Sequence, residues 1–569
     1  MEHFPKKLTI DWLKANYKNK TVTPLQVAEC IVKRAKAHQE KNIWIEPPVL
    51  EHIKKYIDNL PEDKENYPLW GIPFAIKDNI DLAQVPTTAS CKEYSYVPKE
   101  SATVVKKLIA AGAIPVGKTN LDQFATGLVG TRSPYGEVHN ALNPELISGG
   151  SSSGSAVAVA LGLAAFSLGT DTAGSGRVPA ALNCLVGYKP AVGAWSSKGV
   201  VPACQSLDCV TVFANNLEDV QSVNLVARGF DEECCWSKDI PAPDYKKPEK
   251  ILLAKDGVTF YGPFKDIYEK KWNRAVERLK HCGIPIEYID YSMFQEAASI
   301  LYDGPWVAER WKDLGDFVEA HAGEVFPVTE TILRSGKKEE HTAASVFTAM
   351  HKLQKYKAKA KKLLESAVLI MPTAGGTFTR EEVRNNPIAT NSQMGLYTNH
   401  CNLLDLSAIA IPEKTEDTEL PFGITCFARS DSESLLLGMA DKFLKEETTT
   451  LAVCGLHKKG MALEYQLTEK KARFTEHTKT AAKYKLFSLP LNPVKPGMYY
   501  TKEGGNAIEV DLYEIPLSAM GYFMEQVSKP LVIGTVELED GRMVKGFLCE
   551  EYSTNGAEDI TAQGTFKMD

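Results

Sequence analysis

The sequence predicts an α/β protein in which helices cover a central mixed or parallel sheet, followed by a small α+β domain. Three observations support this: strand-like and helical segments alternate with short joints, one long segment of small apolar residues needs burial, and closely spaced strands begin near residue 450. With 569 residues the chain is too long for one ordinary domain. We therefore expect two domains, at residues 1–447 and 448–569.

The alternation of strands and helices is clearest in the first 120 residues. A helical surface layer is expected over residues 8–36, and residues 71–77 are predicted to form a strand. Ser101 and Gly112 are placed to cap and to end the helix that follows. Residues 113–117 are then expected to form the next strand, which completes a strand–helix–strand unit typical of α/β folds.

The middle and the end of the chain differ in residue composition and in predicted secondary structure. Residues 156–168 are almost all Ala, Val, Gly and Leu, which predicts a helix buried on every side. Near residue 445, Lys-Glu-Glu-Thr-Thr-Thr is expected to be a linker, and Asp540-Gly541 further on predicts a hairpin. The strands predicted after the linker are residues 452–457, 484–489, 509–514, 536–539 and 543–547.

Composition argues against several classes of protein. Lys and Arg number 65 and Asp and Glu 72, so the net charge is −7, and without a basic run we expect no nucleic acid and no membrane surface as partner. The sequence has no run of 18 apolar residues, so we expect no membrane span. No apolar segment follows the charges near the first residues, so we expect no secretory signal. The 12 cysteines lack metal-site spacing, so we expect reduced thiols, a cytoplasmic location and no metal.

A Gly/Ser-rich segment carries the chemistry, at residues 148–155 and 169–179. A phosphate loop would need a lysine that is missing here, and a flexible linker would not run straight into an apolar helix. The remaining interpretation is two active-site turns at the ends of one buried helix. A serine nucleophile needs a base, and no histidine lies in the segment. The N–H groups of Thr172, Ala173, Gly174 and Ser175 are the predicted oxyanion hole.

Three motifs in this sequence resemble those of the amidase-signature family. They are Gly-Ile-Pro-Phe-Ala-Ile-Lys77-Asp, Gly-Gly-Ser151-Ser, and Gly-Thr-Asp-Thr-Ala-Gly-Ser175-Gly-Arg177, in the family's order and spacing. The resemblance covers residues 20–440 and implies the amidase-signature fold with a Ser–cis-Ser–Lys triad. Ser175 would be the nucleophile, Ser151 the proton relay after a cis peptide bond, and Lys77 the base, kept neutral by burial.

Two residues of these motifs leave alternatives open. Arg177 can pair with Asp171 or meet an anionic substrate, and it is kept as a substrate-binding candidate. Ala173 stands where many amidases have glycine, and its methyl group could narrow the pocket.

A carboxylate-binding pocket is predicted from Leu-Tyr302-Asp-Gly-Pro-Trp-Val-Ala-Glu-Arg310. An arginine fork and a phenol suit a carboxylate, although a core tyrosine and a surface arginine are the plainer alternative. This run, residues 371–376 and 397–406, and the C-terminal residues 534–549 and 559–562 resemble the allophanate hydrolases. The resemblance implies hydrolysis of allophanate, the carboxylated form of urea, to ammonia and carbon dioxide without cofactors. It also implies that the backbone near Gly127 lines the pocket.

For the C-terminal domain, the resemblance implies a fold like that of γ-glutamyl cyclotransferases and action on the product of the first step. His457 is the candidate proton donor, with a structural histidine or a role in dimerisation as alternatives. The resemblance further implies a homodimer and coupling to, or fusion with, a biotin-dependent urea carboxylase. Two other functions stay open: an amidase for another small carboxylated amide, such as malonamate, and the amidase subunit of a tRNA-dependent amidotransferase.

Overall fold

The chain folds into two compact units, the first ending at Leu444 and the second beginning at Lys445. The structure is a computed structural model that describes residues 4–256, 258–302, 304–413, 420–445 and 448–567. The domain boundary predicted after residue 447 falls on residues 446–447, which lie outside the described residues. Within those ranges no helix is both long and apolar enough to cross a membrane.

The first unit is built on an eleven-stranded mixed sheet flanked by helices, which confirms the predicted fold class. Its strands are β1 (Trp44–Glu46), β2 (Pro73–Lys77), β3 (Ile114–Thr119), β4 (Phe166–Asp171), β5 (Val186–Lys189), β6 (Cys209–Ala214), β7 (Lys250–Ala254), β8 (Ile286–Ile289), β9 (Ala367–Pro372), β10 (Leu406–Pro412) and β11 (Gly423–Arg429). Across the sheet they follow the order β1-β3-β2-β4-β6-β5-β10-β11-β9-β7-β8. The strand β2 runs parallel to both β3 and β4, and β7 runs parallel to β8 and β9.

The helices of this unit begin with two short ones where one helical layer was predicted. Thr23 caps the second of them through a reciprocal bond with Gln26, and Pro24 opens it, so the chain breaks between the two. The helices are α1 (Ile10–Lys18), α2 (Pro24–Ala37), α3 (Leu50–Asp58), α4 (Thr103–Ala110), α5 (Ser153–Ala160), α6 (Val178–Leu182), α7 (Leu217–Ala227), α8 (Lys265–His281), α9 (Ser292–Ser299), α10 (Val307–Ala320), α11 (Pro327–Ser335), α12 (Ala343–Leu363), α13 (Arg380–Asn385), α14 (Ala389–Met394), α15 (His400–Leu403) and α16 (Glu433–Leu444).

The apolar segment after residue 155 is half helix and half strand. The buried helix α5 ends at Ala160, Gly162 turns the chain with φ +66°, and β4 begins at Phe166. The prediction of a helix as far as Leu168 is therefore wrong, because a run of small apolar residues suits a buried helix and a central strand equally well. Because β2 and β4 are parallel neighbours, the residues at their carboxyl ends meet at one edge of the sheet.

A second correction concerns Ser101, which does not cap α4. Its hydroxyl accepts the N–H of Ala83 at 2.9 Å, and α4 follows Ala102 without a side-chain cap. The two strands on either side of this helix, β2 and β3, form as predicted with their bounds moved by one or two residues.

The second unit is an α+β domain with two small sheets. Its elements are β12 (Thr448–Val453), α17 (Glu464–Thr468), β13 (Arg473–Lys479), β14 (Tyr484–Leu489), β15 (Lys495–Tyr500), β16 (Glu509–Pro516), α18 (Leu517–Gln526), β17 (Leu531–Glu537), β18 (Met543–Cys549) and β19 (Glu558–Asp559). One sheet has the order β13-β16-β12-β18-β17 and the other β15-β14-β19. The predicted hairpin joins β17 to β18, with Gly541 at φ +84°. The predicted linker is wrong in part, since its three threonines begin β12.

Candidate active site

Lys77, the last residue of β2, lies at the centre of a buried group of hydroxyls. Its side chain is 0% exposed, and Nζ lies 2.8 Å from Ser151 Oγ, 3.0 Å from Ser152 Oγ and 2.7 Å from Thr170 Oγ1. Thr170 comes from β4, the parallel neighbour of β2, and the two serines come from the turn before α5. The structure thus brings Lys77 and Ser151 together. It adds Ser152 and Thr170, which lie within the quoted motifs but which sequence reasoning did not single out.

Burial lowers the pKa of Lys77 from about 10.5 to about 7. The carboxylates of Asp122, Asp208 and Asp171 oppose this by favouring the charged amine, but desolvation is the larger effect. At neutral pH, therefore, a large fraction of this amine is uncharged and able to accept a proton.

The turn that carries Ser151 is fixed by Asp122. The peptide bond between Gly150 and Ser151 is cis, as the family resemblance implies, and the Ser151 carbonyl accepts the N–H of Asp122 at 3.1 Å. A side chain at Gly150 would lie 2.0 Å from a carboxylate oxygen of Asp122, so only glycine fits there. The same carboxylate accepts the N–H groups of Val129, Gly130 and Arg132 at 2.9–3.2 Å.

The loop of residues 172–175, which we call the nucleophile loop, follows β4 directly. Ser175 is 3% exposed. Gly174 has φ +143°, and its N–H donates to Asp171 Oδ1 at 2.9 Å. The structure therefore contradicts the prediction that the Gly174 N–H belongs to the oxyanion hole, because this N–H is already hydrogen-bonded to Asp171. No acceptor among the described residues takes the N–H groups of Thr172, Ala173 and Ser175.

Arg177 forms a buried ion pair with Asp171. Its guanidinium is buried and grips both carboxylate oxygens of Asp171, from Nε at 2.9 Å and from Nη2 at 2.8 Å, while Nη1 donates to the Thr398 carbonyl at 3.2 Å. Although burial favours the neutral acid, Arg177 holds the pKa of Asp171 below its ordinary value. Of the two roles left open for Arg177, the ion pair with Asp171 is the one that these contacts support, since its donors hold Asp171 beneath the nucleophile loop.

Tyr302 and Arg310, the residues predicted to bind a carboxylate, lie in contact with each other. Arg310 lies on α10 and is 1% exposed; Nη1 donates to Thr126 Oγ1 at 2.9 Å and Nη2 to the Tyr302 hydroxyl at 3.3 Å. The guanidinium carbon lies 5.5 Å from the centre of the Tyr302 ring. Asp303, between them in the predicted run, lies outside the described residues. The surface-arginine alternative is excluded by the burial of Arg310.

The residues predicted to bind the substrate carboxylate and those of the predicted triad have neighbouring residues in common. Gly127 follows Thr126, the partner of Arg310, and a side chain at Gly127 would lie 2.6 Å from the Asp122 carboxylate that supports the Ser151 turn. On the other side, Ala173 belongs to a buried apolar cluster against which Tyr302 packs. The residues predicted to bind the two ends of the substrate are thus held by common neighbours.

Cysteines and metal-ligating groups add nothing to this site. The 12 cysteines form no disulfide in the described structure. The described residues also contain no group of three or more His, Cys, Asp and Glu side chains placed to hold a metal ion.

The second unit has a cavity of about 190 Å³ beside His457. The ring Nε2 lies 3.0 Å from Gln466 Oε1, and the ring stacks on Phe547 with 5.5 Å between centroids. Burial lowers the pKa of His457 and so favours the neutral ring. His457 lies in the turn after β12. The predicted strand over residues 452–457 is therefore wrong at its end, since β12 ends at Val453.

Known proteins resemble this chain along its whole length. Residues 26–437 match the Amidase family, and residues 449–568 match the allophanate hydrolase C-terminal domain. Urea amidolyase of Saccharomyces cerevisiae is 38% identical over 98% of this chain and 33% of its own length. The solved structure of Kluyveromyces lactis allophanate hydrolase is 38% identical, with a TM-score of 0.72 and 98% of both chains covered.

A further relative matches about two thirds of the chain. It is one subunit of the glutamyl-tRNA(Gln) amidotransferase of Prochlorococcus marinus, which is 34% identical over 69% of this chain and 87% of that protein. The chain spans about a third of the length of the curated urea amidolyases that it matches. By these matches the chain belongs to the amidase family of amidohydrolases, and it carries the C-terminal domain that is characteristic of allophanate hydrolases.

Proposed function

We propose that this chain hydrolyses allophanate at its terminal amide through an acyl-enzyme on Ser175. The observation that carries the proposal is the buried Lys77 amine, 2.8 Å from Ser151 Oγ and with its pKa lowered to about 7. Such an amine can accept a proton at neutral pH, which a solvated lysine does only rarely. The similarity to urea amidolyases and to an allophanate hydrolase over nearly the whole chain supports this substrate.

Three hydroxyls contact the Lys77 amine, and one of them can donate its proton to the lone pair of Nζ. A neutral amine has two N–H donors and one lone pair. Ser152 uses its own proton on the Thr170 carbonyl at 3.1 Å, so it can only accept from Nζ. Thr170 Oγ1 also lies within reach of Asn79 Nδ2, at 3.4 Å, as an acceptor. Following the relay that the family resemblance implies, we assign the Ser151 proton to the lone pair of Nζ, with Ser151 in turn taking the proton of Ser175.

The reaction then needs two acyl-transfer steps. Ser175 Oγ attacks the terminal amide carbonyl while its proton moves through Ser151 to Lys77. When the C–N bond breaks, that proton returns to the leaving nitrogen and ammonia departs. Water attacks the acyl-serine by the same relay and frees Ser175, leaving a product in which one nitrogen carries two carboxyl groups. The N–H groups of Thr172, Ala173 and Ser175 would hold the oxyanion, and losing one such donor typically costs about 10²–10³ in rate.

Arg310 would bind the carboxylate at the far end of the substrate. It is buried, yet its contacts are only the two neutral hydroxyls of Thr126 and Tyr302; among the described residues it has no carboxylate at ion-pair distance. The carboxylates of Asp208 and Glu309 favour the charged guanidinium from beyond ion-pair distance, and neither of them occupies its donors. A buried arginine fork of this kind can take a ligand carboxylate directly. A substrate carboxylate would complete this site and align the amide carbonyl with Ser175.

The test is ammonia release from allophanate, malonamate, acetamide and benzamide by the purified chain. We expect release from allophanate, loss of that release in Ser175→Ala, and retention in Ser153→Ala, a serine of the same segment with only a 3.4 Å contact to the Asn120 carbonyl. Release from malonamate but not allophanate would assign the other carboxylated-amide function. Release from neutral amides alone would reject the Arg310 argument, and an active Ser175→Ala would reject the triad.

The tRNA-dependent alternative rests on the match to one protein of an amidotransferase. It predicts ammonia transfer that requires a partner protein and tRNA, whereas our proposal predicts full turnover by this chain alone. Turnover without either addition would rule it out.

We propose a second activity, in the C-terminal domain, on the product of the first step. That product must lose carbon dioxide before its nitrogen can become ammonia, and His457 is the candidate proton donor in the cavity. We expect His457→Ala to keep the first ammonia release and to slow carbon dioxide release; equal rates of carbon dioxide release in variant and parent would reject this role.

The predicted homodimer and cytoplasmic location stay predictions. Coupling to a biotin-dependent urea carboxylase is part of the proposal, because allophanate is carboxylated urea.

A further inference from the structure

Asp208, which the proposed mechanism does not use, lies directly behind the nucleophile loop. It precedes β6, and the antiparallel pairing of β4 with β6 sets Asp171 opposite Cys209. Continuing this register by one residue places Thr172 opposite Asp208. The Thr172 hydroxyl donates to Asp208 Oδ1 at 2.5 Å, so the first residue of the nucleophile loop is tied to this carboxylate.

The same carboxylate also fixes the loop that leads into β6. Its Oδ2 accepts the N–H of Ala203 at 2.7 Å, and both oxygens lie 3.1 Å from the Cys204 nitrogen. Asp208 is only 8% exposed. A buried carboxylate with several charge-assisted hydrogen bonds on two sides is held rigidly, and it holds its donors in turn.

The loop of residues 203–208 reaches the carboxylate pocket as well. The N–H and the hydroxyl of Ser206 donate to Glu309 at 2.8 and 2.6 Å, and Gln205 Nε2 donates to Asp313 at 3.2 Å. Both acids lie on α10, next to Arg310 or one turn beyond it. Asp208 therefore stands between the nucleophile loop and the helix that carries the predicted substrate-binding arginine.

We propose that Asp208 is a positioning residue for the hydrolysis. By holding the Thr172 hydroxyl, it fixes the side-chain rotamer and the backbone at the start of the nucleophile loop, and thereby aims the N–H groups of Thr172 and Ala173 at the developing oxyanion. Donors held in place before the reaction cost no reorganisation in the transition state. The inference rests on the proposed function, because it assigns these N–H groups to the oxyanion hole.

The test is a double-mutant cycle between Asp208 and Thr172. Asp208→Asn keeps the shape but cannot accept on both sides, and Thr172→Val keeps the shape and removes the hydroxyl. We expect each single variant to lower kcat about 10- to 100-fold, with KM little changed, since losing a hydrogen bond to a charged group has an effect of this order. The double variant should be no slower than the slower single variant. Thr211→Val is the matched control, because the Thr211 hydroxyl is buried on β6 and has no hydrogen-bond partner in the part of the chain that the structure describes.

A second readout separates this inference from the choice of substrate. Phosphonylation of Ser175 by a small fluorophosphonate places an oxygen where the oxyanion forms, and intact-protein mass measures its rate without any amide. If the parent is phosphonylated but releases no ammonia from allophanate, the proposed substrate fails and the cycle on phosphonylation still decides the role of Asp208. A parent that is not phosphonylated on Ser175 overturns both proposals.

The cycle has two results that overturn the role of Asp208. If the losses of the single variants multiply in the double variant, Asp208 does not act through Thr172. If either single variant reacts at the parent's rate, the hydrogen bond has no positioning role. Should Asp208→Asn fail to fold, Thr172→Val alone decides: a rate within twofold of the Thr211→Val control overturns the proposal.

Discussion

Replacement of Lys77 by methionine keeps the length of the side chain and removes the nitrogen that the proposed proton relay requires. Nζ is surrounded by the hydroxyls of Ser151, Ser152 and Thr170 and by no solvent, so the change is confined to one buried atom and its hydrogen bonds. If Lys77 is the base, the variant loses acyl transfer but should keep substrate binding, because Arg310 and Tyr302 hold the other end of the substrate.

The magnitude follows from the lowered pKa. At pH 7 a lysine with a pKa of about 10.5 is neutral in roughly one molecule in 3,000, whereas Lys77, with a pKa of about 7, is neutral in about half. General base catalysis contributes about 10²–10⁴ in rate, and we expect Lys77→Met to lose a factor in this range. In the parent, the neutral amine is the active form. The value of kcat/KM should therefore fall about tenfold per pH unit well below pH 7 and level off above it.

The assay is ammonia release from allophanate between pH 6 and pH 9, corrected for breakdown without enzyme. Lys77→Arg is the second variant, because arginine keeps the charge but does not lose its proton at these pH values. We expect both variants to be slow and to lose the inflection near pH 7. A parent profile with no inflection in this range, or a Lys77→Met variant that keeps both the rate and the inflection, would refute the assignment of Lys77 as the base.

Three further predictions concern the buried charges. Arg310→Lys should raise KM for allophanate about 10- to 100-fold with a small change in kcat, because it removes the guanidinium fork; turnover kinetics check this, and an unchanged KM would contradict it. Asp171→Asn should lower the free energy of unfolding by about 3–5 kcal/mol, because it leaves Arg177 buried without its counter-charge, and urea unfolding measures it; a loss below about 1 kcal/mol would show that the pair does not hold the fold. Between pH 7 and pH 9 the unfolded chain binds a proton at Lys77 that the folded chain lacks, so the parent should gain about 2 kcal/mol of stability over Lys77→Met as pH rises; parallel stability curves for the two proteins would contradict the lowered pKa.

Sequence patterns correctly predicted secondary structure that depends on neighbouring residues in the chain. They failed where the choice between helix and strand depends on the tertiary environment. The hairpin at Asp540-Gly541 formed as expected because Gly541 adopts the positive φ that this short loop requires. The segment after α5 was predicted as helix throughout, although its second half is the central strand β4. Small apolar side chains satisfy both environments, so only the neighbours of β4 in the sheet, β2 and β6, decide between them.

Within the site, motif resemblance located Lys77, Ser151 and Ser175, but it could not say which backbone donors are available. Gly174 was included in the oxyanion hole because it lies between the other donors in sequence, and its N–H turned out to be bound to Asp171. Asp208 was missed because its partner Thr172 lies 36 residues away. The register between β4 and β6 brings these two residues together, and a single sequence does not display that register.

Arg177 and Arg310, both buried, show how identical residue types acquire different roles. The Nε and Nη2 atoms of Arg177 both donate to the Asp171 carboxylate, so the protein itself balances the charge of this arginine. Arg177 thereby helps to hold the nucleophile loop. Among the described residues, Arg310 donates only to neutral hydroxyls, and Asp208 and Glu309 favour its charged form from beyond ion-pair distance, so its guanidinium has no carboxylate in direct contact before an anion enters. A neutral amide of the same size would displace water from this pocket and leave the guanidinium without a carboxylate in direct contact. Selection for a carboxylated substrate would then come from the penalty on uncharged amides, which can exceed what a difference in shape alone provides.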